Sequence, residues 1–284
     1  MRPPFKPPTQ LGTVGWESVN TEFTQRHAFI AICGETDTGK TSLALTARGP
    51  VAILHAAEKV KGILEPHVRS GKLIKQHNFA GVFPKDEKAC ADAATVVWQK
   101  AKALYDAAWG NCGTLVVDTE PGLYALRRYA RFGTLTPRGD TRDLYTAINW
   151  DWAQMFNARP RAQQDQGTTL ITIHTMSDEY KDVIKQTQGG PKKLSEKTGN
   201  LKMDGQKSIK YAADLILQTL RDPVSEQFKV KIIKPWFRGD VRGMELDDEM
   251  MRSMGYQENA ATGSCLTIPA ILAFITSTEE AEWV

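Results

Sequence analysis

The feature that most constrains this chain is a glycine-rich turn between an apolar run and a helix-forming run. The turn reads GETDTGKT over Gly34–Thr41 and fits the phosphate-loop pattern, in which two glycines are followed by lysine and a hydroxyl residue. The apolar run Ala28–Cys33 precedes it, and the helix-prone run Ser42–Ala47 follows it. A strand, a phosphate loop and a helix in this order predict binding of a nucleoside triphosphate.

The residue types in this turn suit a phosphate chain. The glycines allow backbone shapes that a Cβ would forbid, so that loop amides can point inward at an anion. Lys40 is predicted to reach the β- and γ-phosphates, and the Thr41 hydroxyl to bind Mg²⁺. Carboxylates would repel phosphates, so the side chains of Glu35 and Asp37 are expected to face outward. The predicted nucleotide-binding residues are Gly34, Glu35, Thr36, Asp37, Thr38, Gly39, Lys40 and Thr41.

Apolar runs and helical patterns alternate along the chain, which predicts an α/β fold with a mostly parallel central sheet covered by helices on both faces. Predicted strands cover 51–55, 73–79, 114–118 and 168–174, and predicted helices cover 86–109 and 142–159. The runs 213–218 and 227–234 are expected to pair as a C-terminal antiparallel hairpin across Arg221-Asp222-Pro223. We expect an N-terminal arm over residues 1–26, one core domain over 27–245, and a C-terminal extension over 246–284 that ends in an acidic tail.

Composition indicates a globular protein of ordinary character. Hydrophobic residues make up 41% of the 284 residues and charged residues 24%. No apolar run approaches the length of a membrane span, and the proline-rich start lacks the apolar core of a secretion signal. The four cysteines have no CxxC spacing, which favours reduced thiols in a cytoplasmic protein, in the host cytoplasm if a phage encodes it.

Acidic residues that follow the predicted strands are candidates for cation binding and water activation. Asp118 ends the strand Thr114–Asp118, where carboxylates hold Mg²⁺ in nucleotide-hydrolysing enzymes. Hydrolysis also needs a group that orients the attacking water. Glu58 follows the strand after the phosphate loop, and Glu120 lies two residues after Asp118. We prefer Glu58, because a side chain two residues beyond an inward-facing Asp118 would point away from it if the strand ends at Asp118; a surface role for Glu58 stays open.

Three further residues have both a catalytic and a structural interpretation. His174 ends an apolar strand and could sense the γ-phosphate, or it could be a packing or capping histidine. Lys234 and Arg238 follow the predicted hairpin and could contact a neighbouring subunit's phosphates in the manner of arginine fingers. The alternative for both cations is a solvated surface turn.

The charge distribution points to a polyanionic partner. Residues 121–142 contain five arginines against one aspartate, and residues 181–210 contain eight lysines against three acidic residues. Both segments are expected to be connections after strands, and the second to be a long basic loop. The candidate nucleic-acid contacts are Arg127, Arg128, Arg131, Lys192, Lys193 and Lys197. Tyr129, Phe132, Trp150 or Trp152 could stack on bases, although core packing is the alternative for each and is favoured for the two tryptophans.

From GETDTGKT, the LVVDT and TLITIH strands and the ADLILQTLRDP…VKIIKPWFRGD hairpin, the chain resembles the RecA-type core. It is most similar to the small phage-encoded RecA-like ATPases of recombination and single-strand annealing, over roughly His27 to Arg242. Many members have glutamine where His174 stands. The resemblance implies ATP and Mg²⁺ as cofactors, single-stranded DNA as partner, and a ring or filament of identical subunits in which Lys234 or Arg238 acts in trans. A single-strand-binding protein is a further candidate partner.

The expected function is therefore a DNA-dependent ATPase that binds single strands. Three alternatives stay open on the sequence. They are an ATP-gated DNA clamp with slow turnover, a DNA translocase or packaging motor, and a P-loop phosphotransferase acting on a small molecule. An extra strand expected between the phosphate-loop strand and the Asp118 strand, together with the C-terminal hairpin, favours the recombinase-like core over the phosphotransferase.

Overall fold

The computed structural model describes residues 27–56, 60–137, 142–163, 167–187, 190–236 and 238–283. Its centre is an eight-stranded sheet in the order β3-β2-β4-β5-β1-β8-β9-β10, in which β9 and β10 are antiparallel to their neighbours and the other strands are parallel. A separate two-stranded sheet is formed by β6 and β7. The strands are β1 Phe29–Gly34, β2 Val51–His55, β3 Ile74–Asn78, β4 Thr114–Asp118, β5 Thr169–His174, β6 Met176–Thr187, β7 Gly190–Met203, β8 Leu215–Arg221, β9 Phe228–Lys234 and β10 Glu245–Asp247.

Helices cover both faces of the central sheet. They are α1 Lys40–Leu45, α2 Val60–Arg69, α3 Glu87–Ala108, α4 Glu120–Phe132, α5 Arg142–Ala153, α6 Arg159–Ala162, α7 Ser208–Ala212, α8 Asp248–Ser253 and α9 Ile268–Thr276. A π-helical turn over Gln154–Ala158 joins α5 to α6. The buried apolar residues form two clusters: one includes side chains of α1, α2 and α9, and the other includes side chains of α3 and α4.

The structure confirms the predicted fold class, a mostly parallel central sheet with flanking helices and a C-terminal antiparallel hairpin. Strands β8 and β9 form that hairpin. Strand β5 lies between β1, which leads into the phosphate loop, and β4, which ends at Asp118. These are the two features by which the sequence favours a RecA-like core over a small-molecule phosphotransferase.

Two segments predicted as connecting loops have regular structure instead. Arg127, Arg128 and Arg131 lie on α4, a helix that begins with a Thr119 cap and ends at Gly133 with φ 69°. The long basic loop expected after His174 is the antiparallel hairpin β6–β7. The Gly190-Pro191 start of β7 is a turn signal that suits a hairpin, but the length and charge of the segment favoured an irregular loop.

The C-terminal segment is packed into the same core as the phosphate-loop helix. The boundary expected between residues 245 and 246 falls inside β10, which pairs with β9. Almost all of α9 is buried in the cluster that contains Leu43 of α1. The Ile268 amide donates to Thr46 Oγ1 at 2.9 Å, just beyond the last turn of α1. The C-terminal segment therefore supports the helix that follows the phosphate loop.

A buried histidine in α2 predicts acid lability. His67 is 2% exposed, and its Nδ1 has no hydrogen-bond partner in the described part of the chain. Burial, with the nearby charge of Lys72 adding to it, lowers the pKa of His67 to about 4. Between pH 6.5 and pH 4 the histidine is protonated in the unfolded chain but stays neutral in the folded protein. The free energy of unfolding therefore falls as the pH drops through this range.

We therefore expect His67→Leu to lose less stability than the parent protein on acidification from pH 7 to pH 4, by on the order of 2 kcal/mol. Urea unfolding at both pH values measures this difference. Some acid sensitivity should remain in the variant, because burial also lowers the pKa of His174 and of His77. An identical acid slope in parent and variant would contradict the assignment of this loss to His67.

Candidate nucleotide site

The turn after β1 has the backbone shape of a phosphate cradle. Gly39 has φ 81° and lies immediately before α1, and Asp37 also has a positive φ of 61°. Glu35, Thr36 and Asp37 are exposed, as expected for Glu35 and Asp37 if they are to stay away from phosphates. Thr38 is buried, and its hydroxyl donates to the Glu35 carbonyl at 2.8 Å, which closes the turn.

Lys40 folds back across this turn. Its Nζ donates to the Gly34 carbonyl at 3.0 Å and also to the Glu35 carbonyl. The lysine is half-buried, and burial lowers its pKa, against the opposing effect of the Asp118 charge. The ammonium group is thus held over the loop by carbonyls that are weaker partners than a phosphate would be.

The two residues predicted to bind the cation are in contact. Thr41 Oγ1, in the first turn of α1, donates to Asp118 Oδ2, at the end of β4, at 2.7 Å. These residues are 77 positions apart in the sequence. The fold brings them together because β1 and β4 are parallel strands of the same sheet on either side of β5, so their carboxyl ends lie at the same edge.

Asp118 is a buried carboxylate. Burial raises its pKa, while the hydrogen bond from Thr41 and the nearby positive groups counteract this effect. The anion is therefore poorly solvated, and a cation bound beside it would restore the lost solvation. The carboxylate and hydroxyl oxygens are ligands of the kind that Mg²⁺ prefers.

In the described ranges, no group of three or more His, Cys, Asp and Glu side chains is placed to hold a metal ion. In a nucleotide site, Mg²⁺ is commonly bound by one or two protein oxygens, and water and the phosphates supply the other ligands. Thr41 and Asp118 are the residues that would hold it.

Thr219, which the sequence analysis missed, forms the back wall of the loop. Thr219 lies in β8 and is 1% exposed. Its hydroxyl oxygen is 2.7 Å from the hydroxyl oxygen of Thr38 in the loop. A Cβ on Gly34 would be 2.3 Å from Thr219 Oγ1, so the first glycine of the motif is required by this packing. Thr219 directly follows the run 213–218 that the sequence predicts as a strand, and a polar β-branched residue at that place is the signal that could have identified it.

His55 is a second neighbour of the site that the sequence left without a role. It ends β2 and is the register partner of Asp118 in the adjacent strand β4. The side chain is buried, and Nε2 lies 3.2 Å from Gln76 Oε1. A proton on His55 would add a positive charge beside Asp118, and such a charge lowers the pKa of that carboxyl group.

Of the two glutamates predicted as candidates for water activation, the structure describes only Glu120. Glu58 lies outside the described residues. Glu120 is fully buried at the start of α4, and its Oε1 accepts from Trp152 Nε1 at 2.6 Å. Burial raises the pKa of Glu120 to about 8, because the ionised form would be desolvated. A buried carboxyl bonded to an indole has no access to an attacking water in this conformation.

His174 is also fully buried, and both of its ring nitrogens have partners. Nδ1 donates to the Asp204 carbonyl at 2.9 Å, which leaves Nε2 to accept from Thr172 Oγ1 at 2.9 Å. Burial lowers the pKa of His174 to about 4, so the ring is neutral at pH 7. His174 therefore links the end of β5 to the residues that follow β7.

Lys234, at the end of β9, lies towards the edge of the sheet opposite to the phosphate loop, and Arg238 follows that strand. Lys234 pairs with Ile216 near the amino end of β8, whereas Thr219 pairs with Gly34. The Lys234 amine donates to the carbonyls of Lys210, Tyr211 and Ala213. The Arg238 guanidinium binds Asp240 at 2.6 Å and the Phe274 carbonyl at 3.2 Å. The hydrogen bonds of these two cations in the described structure are therefore with groups outside the phosphate loop of their own chain.

The candidate nucleic-acid residues fall into different environments. On α4, Arg127 pairs with Asp151 at 2.7 Å, Arg128 donates to the Tyr145 hydroxyl at 2.9 Å, and Arg131 is exposed. On β7, Lys197 pairs with Asp178 at 2.6 Å, and both side chains are well exposed. The side chains of Lys192 and Lys193, on the same strand, lie outside the described part of the structure.

The candidate aromatic residues are mostly packed against the protein. Trp152 is fully buried and stacks with Trp98 at a ring distance of 6.0 Å. Tyr129 contacts Phe83, and Phe132 contacts Tyr145. Trp150, by contrast, is 65% exposed on α5 and is the one of these four that could stack on a base without rearrangement.

Comparisons with known proteins find no family. No protein-family model matches the chain, and no curated protein matches it. Among solved structures, a RadB recombinase gives a TM-score of 0.44 at 11% identity and covers 78% of this chain and 86% of its own. A KaiC-like protein from the hyperthermophilic archaeon Pyrococcus horikoshii OT3 gives 0.38 at 13% identity and covers 83% and 88%. At this level neither similarity bears on function, which depends on the site itself.

In the part of the chain that the structure describes, each helix is too short or too polar to cross a membrane. All four cysteines, Cys33, Cys90, Cys112 and Cys265, are free.

Proposed function

We propose that this protein is a RecA-like ATPase that binds ATP with Mg²⁺ and couples hydrolysis to binding of single-stranded DNA. The observation that carries the proposal is the 2.7 Å contact between Thr41 and Asp118 at the end of the phosphate loop. Thr41 and Asp118 belong to separate sequence motifs and were both predicted to bind Mg²⁺, and their side chains are in contact. A chance glycine-rich turn gives no reason for such a meeting.

The loop residues have distinct roles in this proposal. The amides of Gly34–Thr41 surround the phosphates, and Lys40 exchanges its carbonyl partners for the β- and γ-phosphates. Thr41 and Asp118 hold Mg²⁺, which when bound neutralises phosphate charge. We propose ATP, and not another nucleoside triphosphate, because the sequence resembles RecA-type cores.

For hydrolysis, Glu58 remains the proposed residue that orients the attacking water. It follows β2 in the sequence, and the carboxyl end of β2 lies at the same edge of the sheet as Asp118, because β2 and β4 are parallel neighbours. Glu120 is a poor alternative, since its carboxyl group is buried against Trp152. Lys234 and Arg238 are proposed to act on the nucleotide of a neighbouring copy in a ring or filament, since their own loop lies at the other edge of the sheet.

The hairpin β6–β7 is the proposed grip on single-stranded DNA, with Lys192, Lys193 and Lys197 as phosphate contacts. It leaves β5 directly after His174, which places it next to the nucleotide end of the sheet. On α4, Arg131 is the arginine best placed for such a contact, while Arg127 and Arg128 must first leave their internal partners. Phage-type recombination or annealing is the process we propose from the resemblance; a DNA translocase shares this core.

Phosphate release by the purified protein, with and without oligo(dT), tests the proposal. We expect Mg²⁺-dependent release of free phosphate from ATP that rises at least about tenfold with DNA. Affinity for the oligonucleotide should fall steeply between about 50 and 200 mM salt, because cation contacts to DNA phosphates dominate it. Transfer of phosphate to a small molecule, or DNA binding that ignores ionic strength, would argue against this function.

A further inference from the structure

A lysine in the turn between α2 and β3 binds the end of the helix that follows the phosphate loop. Lys72 Nζ donates to the Leu45 carbonyl at 2.7 Å and to the Ala47 carbonyl at 2.6 Å. Leu45 is the last residue of α1, and Ala47 lies two positions beyond it. Carbonyl groups at the carboxyl end of a helix have no partners within the helix and need donors from elsewhere. Lys72 supplies donors to two carbonyl groups at this end of α1.

The Lys72 ammonium group depends on these carbonyl groups for its solvation. The side chain is half-buried, and burial lowers the pKa of Lys72 to about 8, an effect that no carboxylate among the described residues counteracts. A buried charge costs free energy unless polar groups surround it. The carboxyl end of a helix carries a partial negative charge, which suits an ammonium group. Lys72 and the end of α1 therefore hold each other in place.

The backbone that carries Lys72 is itself fixed to the core. The Lys72 amide donates to the carbonyl of His67, in the last turn of α2, at 3.0 Å. The carbonyl of the next residue, Leu73, accepts from the amide of Val51, the first residue of β2, at 2.9 Å. Because of these bonds, the turn is a firm support, and Lys72 can transfer the position of α2 and β2 to the end of α1.

The opposite end of α1 carries the residues proposed to bind the phosphates and Mg²⁺. The helix has six residues and is therefore about 9 Å long. Lys40 and Thr41 are its first two residues, and Thr41 Oγ1 is 2.7 Å from Asp118 Oδ2. A helix of fewer than two turns has little length over which to bend, so a displacement at Leu45 also displaces Thr41.

We propose that Lys72 is a positioning residue for the nucleotide site and that it acts through α1. Its ammonium group fixes the carboxyl end of the helix, and the helix in turn holds Lys40 in the phosphate loop and Thr41 against Asp118. Lys72 binds the end of α1 that lies away from the loop, so it contacts neither the phosphates nor the cation. This inference rests on the proposed function for its ligand, ATP with Mg²⁺.

Other contacts at the same end of α1 allow Lys72 to be replaced while the helix stays folded. The Ile268 amide donates to Thr46 Oγ1 at 2.9 Å, and the Thr46 hydroxyl donates to the Leu43 carbonyl at 2.7 Å. Neither bond involves Lys72, so Lys72→Met should keep α1 but hold its end less firmly. Lys72→Arg keeps a charged donor at this position. The control Lys75→Met removes a positive charge from an exposed position on β3.

Nucleotide affinity, measured well below the melting temperature of each full-length variant, tests the proposal. A small displacement of binding groups can cost up to about 100-fold. With a fluorescent ATP analogue and Mg²⁺, we expect the Kd of Lys72→Met to be at least about fivefold weaker than that of the parent. Lys72→Arg and Lys75→Met should stay within about twofold of the parent. A lower melting temperature with a parental Kd in Lys72→Met would overturn the proposal and leave the proposed function intact. If the parent binds no analogue, both fail.

Two further measurements separate positioning from a general loss of stability. At saturating ATP, the Mg²⁺ concentration for half-maximal phosphate release should rise at least about threefold in Lys72→Met, because Thr41 is no longer held against Asp118. Lys72→Arg should restore the parental value. Without nucleotide, hydrogen exchange of the amides of residues 43–47 should be faster in Lys72→Met than in Lys75→Met. Parental exchange and a parental Mg²⁺ dependence in Lys72→Met would refute the role of Lys72.

Discussion

Lys40→Ala is expected to abolish nucleotide binding, with a loss of affinity of about 100-fold or more. The Lys40 ammonium group is held over the loop by the Gly34 and Glu35 carbonyls, ready to exchange them for phosphate oxygens. Charge-assisted hydrogen bonds contribute about 1.5–3 kcal/mol each, and two such bonds exceed the 2.7 kcal/mol that corresponds to 100-fold. Titration with a fluorescent ATP analogue in the presence of Mg²⁺ measures the change.

The control is Lys61→Ala, which removes the same charge from an exposed position on α2 and should leave the affinity unchanged. Thermal unfolding separates loss of binding from loss of fold. Without nucleotide, Lys40→Ala should melt close to the parent, because the lysine is half-exposed and its partners are backbone carbonyls. With saturating ATP and Mg²⁺, only the parent and Lys61→Ala should gain stability. Unchanged affinity in Lys40→Ala would mean that the loop is not a nucleotide site.

Much of this site was predictable because it depends on local patterns. The phosphate loop is one continuous segment, and the strand before it is continuously apolar because it is buried on both faces. Asp118 could be chosen because it ends such a strand. Because parallel strands have their carboxyl ends at the same edge of a sheet, the contact between Asp118 and Thr41 could then be expected.

What could not be predicted depends on packing between distant segments. The position of Thr219 behind Gly34 requires β8 to lie beside β1, which no local pattern specifies. Arg127 and Arg128 looked like solvent-facing charges, but α4 turns them towards Asp151 and Tyr145 on α5. For Glu120 the end of the strand at Asp118 predicted a side chain directed away from Asp118, but not that Trp152 and His174 would enclose it.

Asp118→Asn is expected to lower the rate of phosphate release at least about 100-fold and to leave ATP affinity without Mg²⁺ within about threefold of the parent. The amide oxygen can still accept from Thr41, so the 2.7 Å contact and the local packing can persist. What is lost is the negative charge that would hold the cation beside the phosphates. The variant should also remove the buried anion, so its melting temperature without ligand should equal or exceed that of the parent.

Phosphate release measured over a range of Mg²⁺ concentrations checks this expectation, with Asp92→Asn as the matched control at an exposed position on α3. The parent and the control should show the same saturable dependence on Mg²⁺, and Asp118→Asn should show a flat, low rate. A parental rate at saturating Mg²⁺ would exclude Asp118 as the cation residue. Since Thr41 is bound to Asp118, Thr41→Val should also show a low rate that does not respond to Mg²⁺, although Asp118 stays charged. This result would distinguish a cation site held by two residues from a charge effect of Asp118 alone.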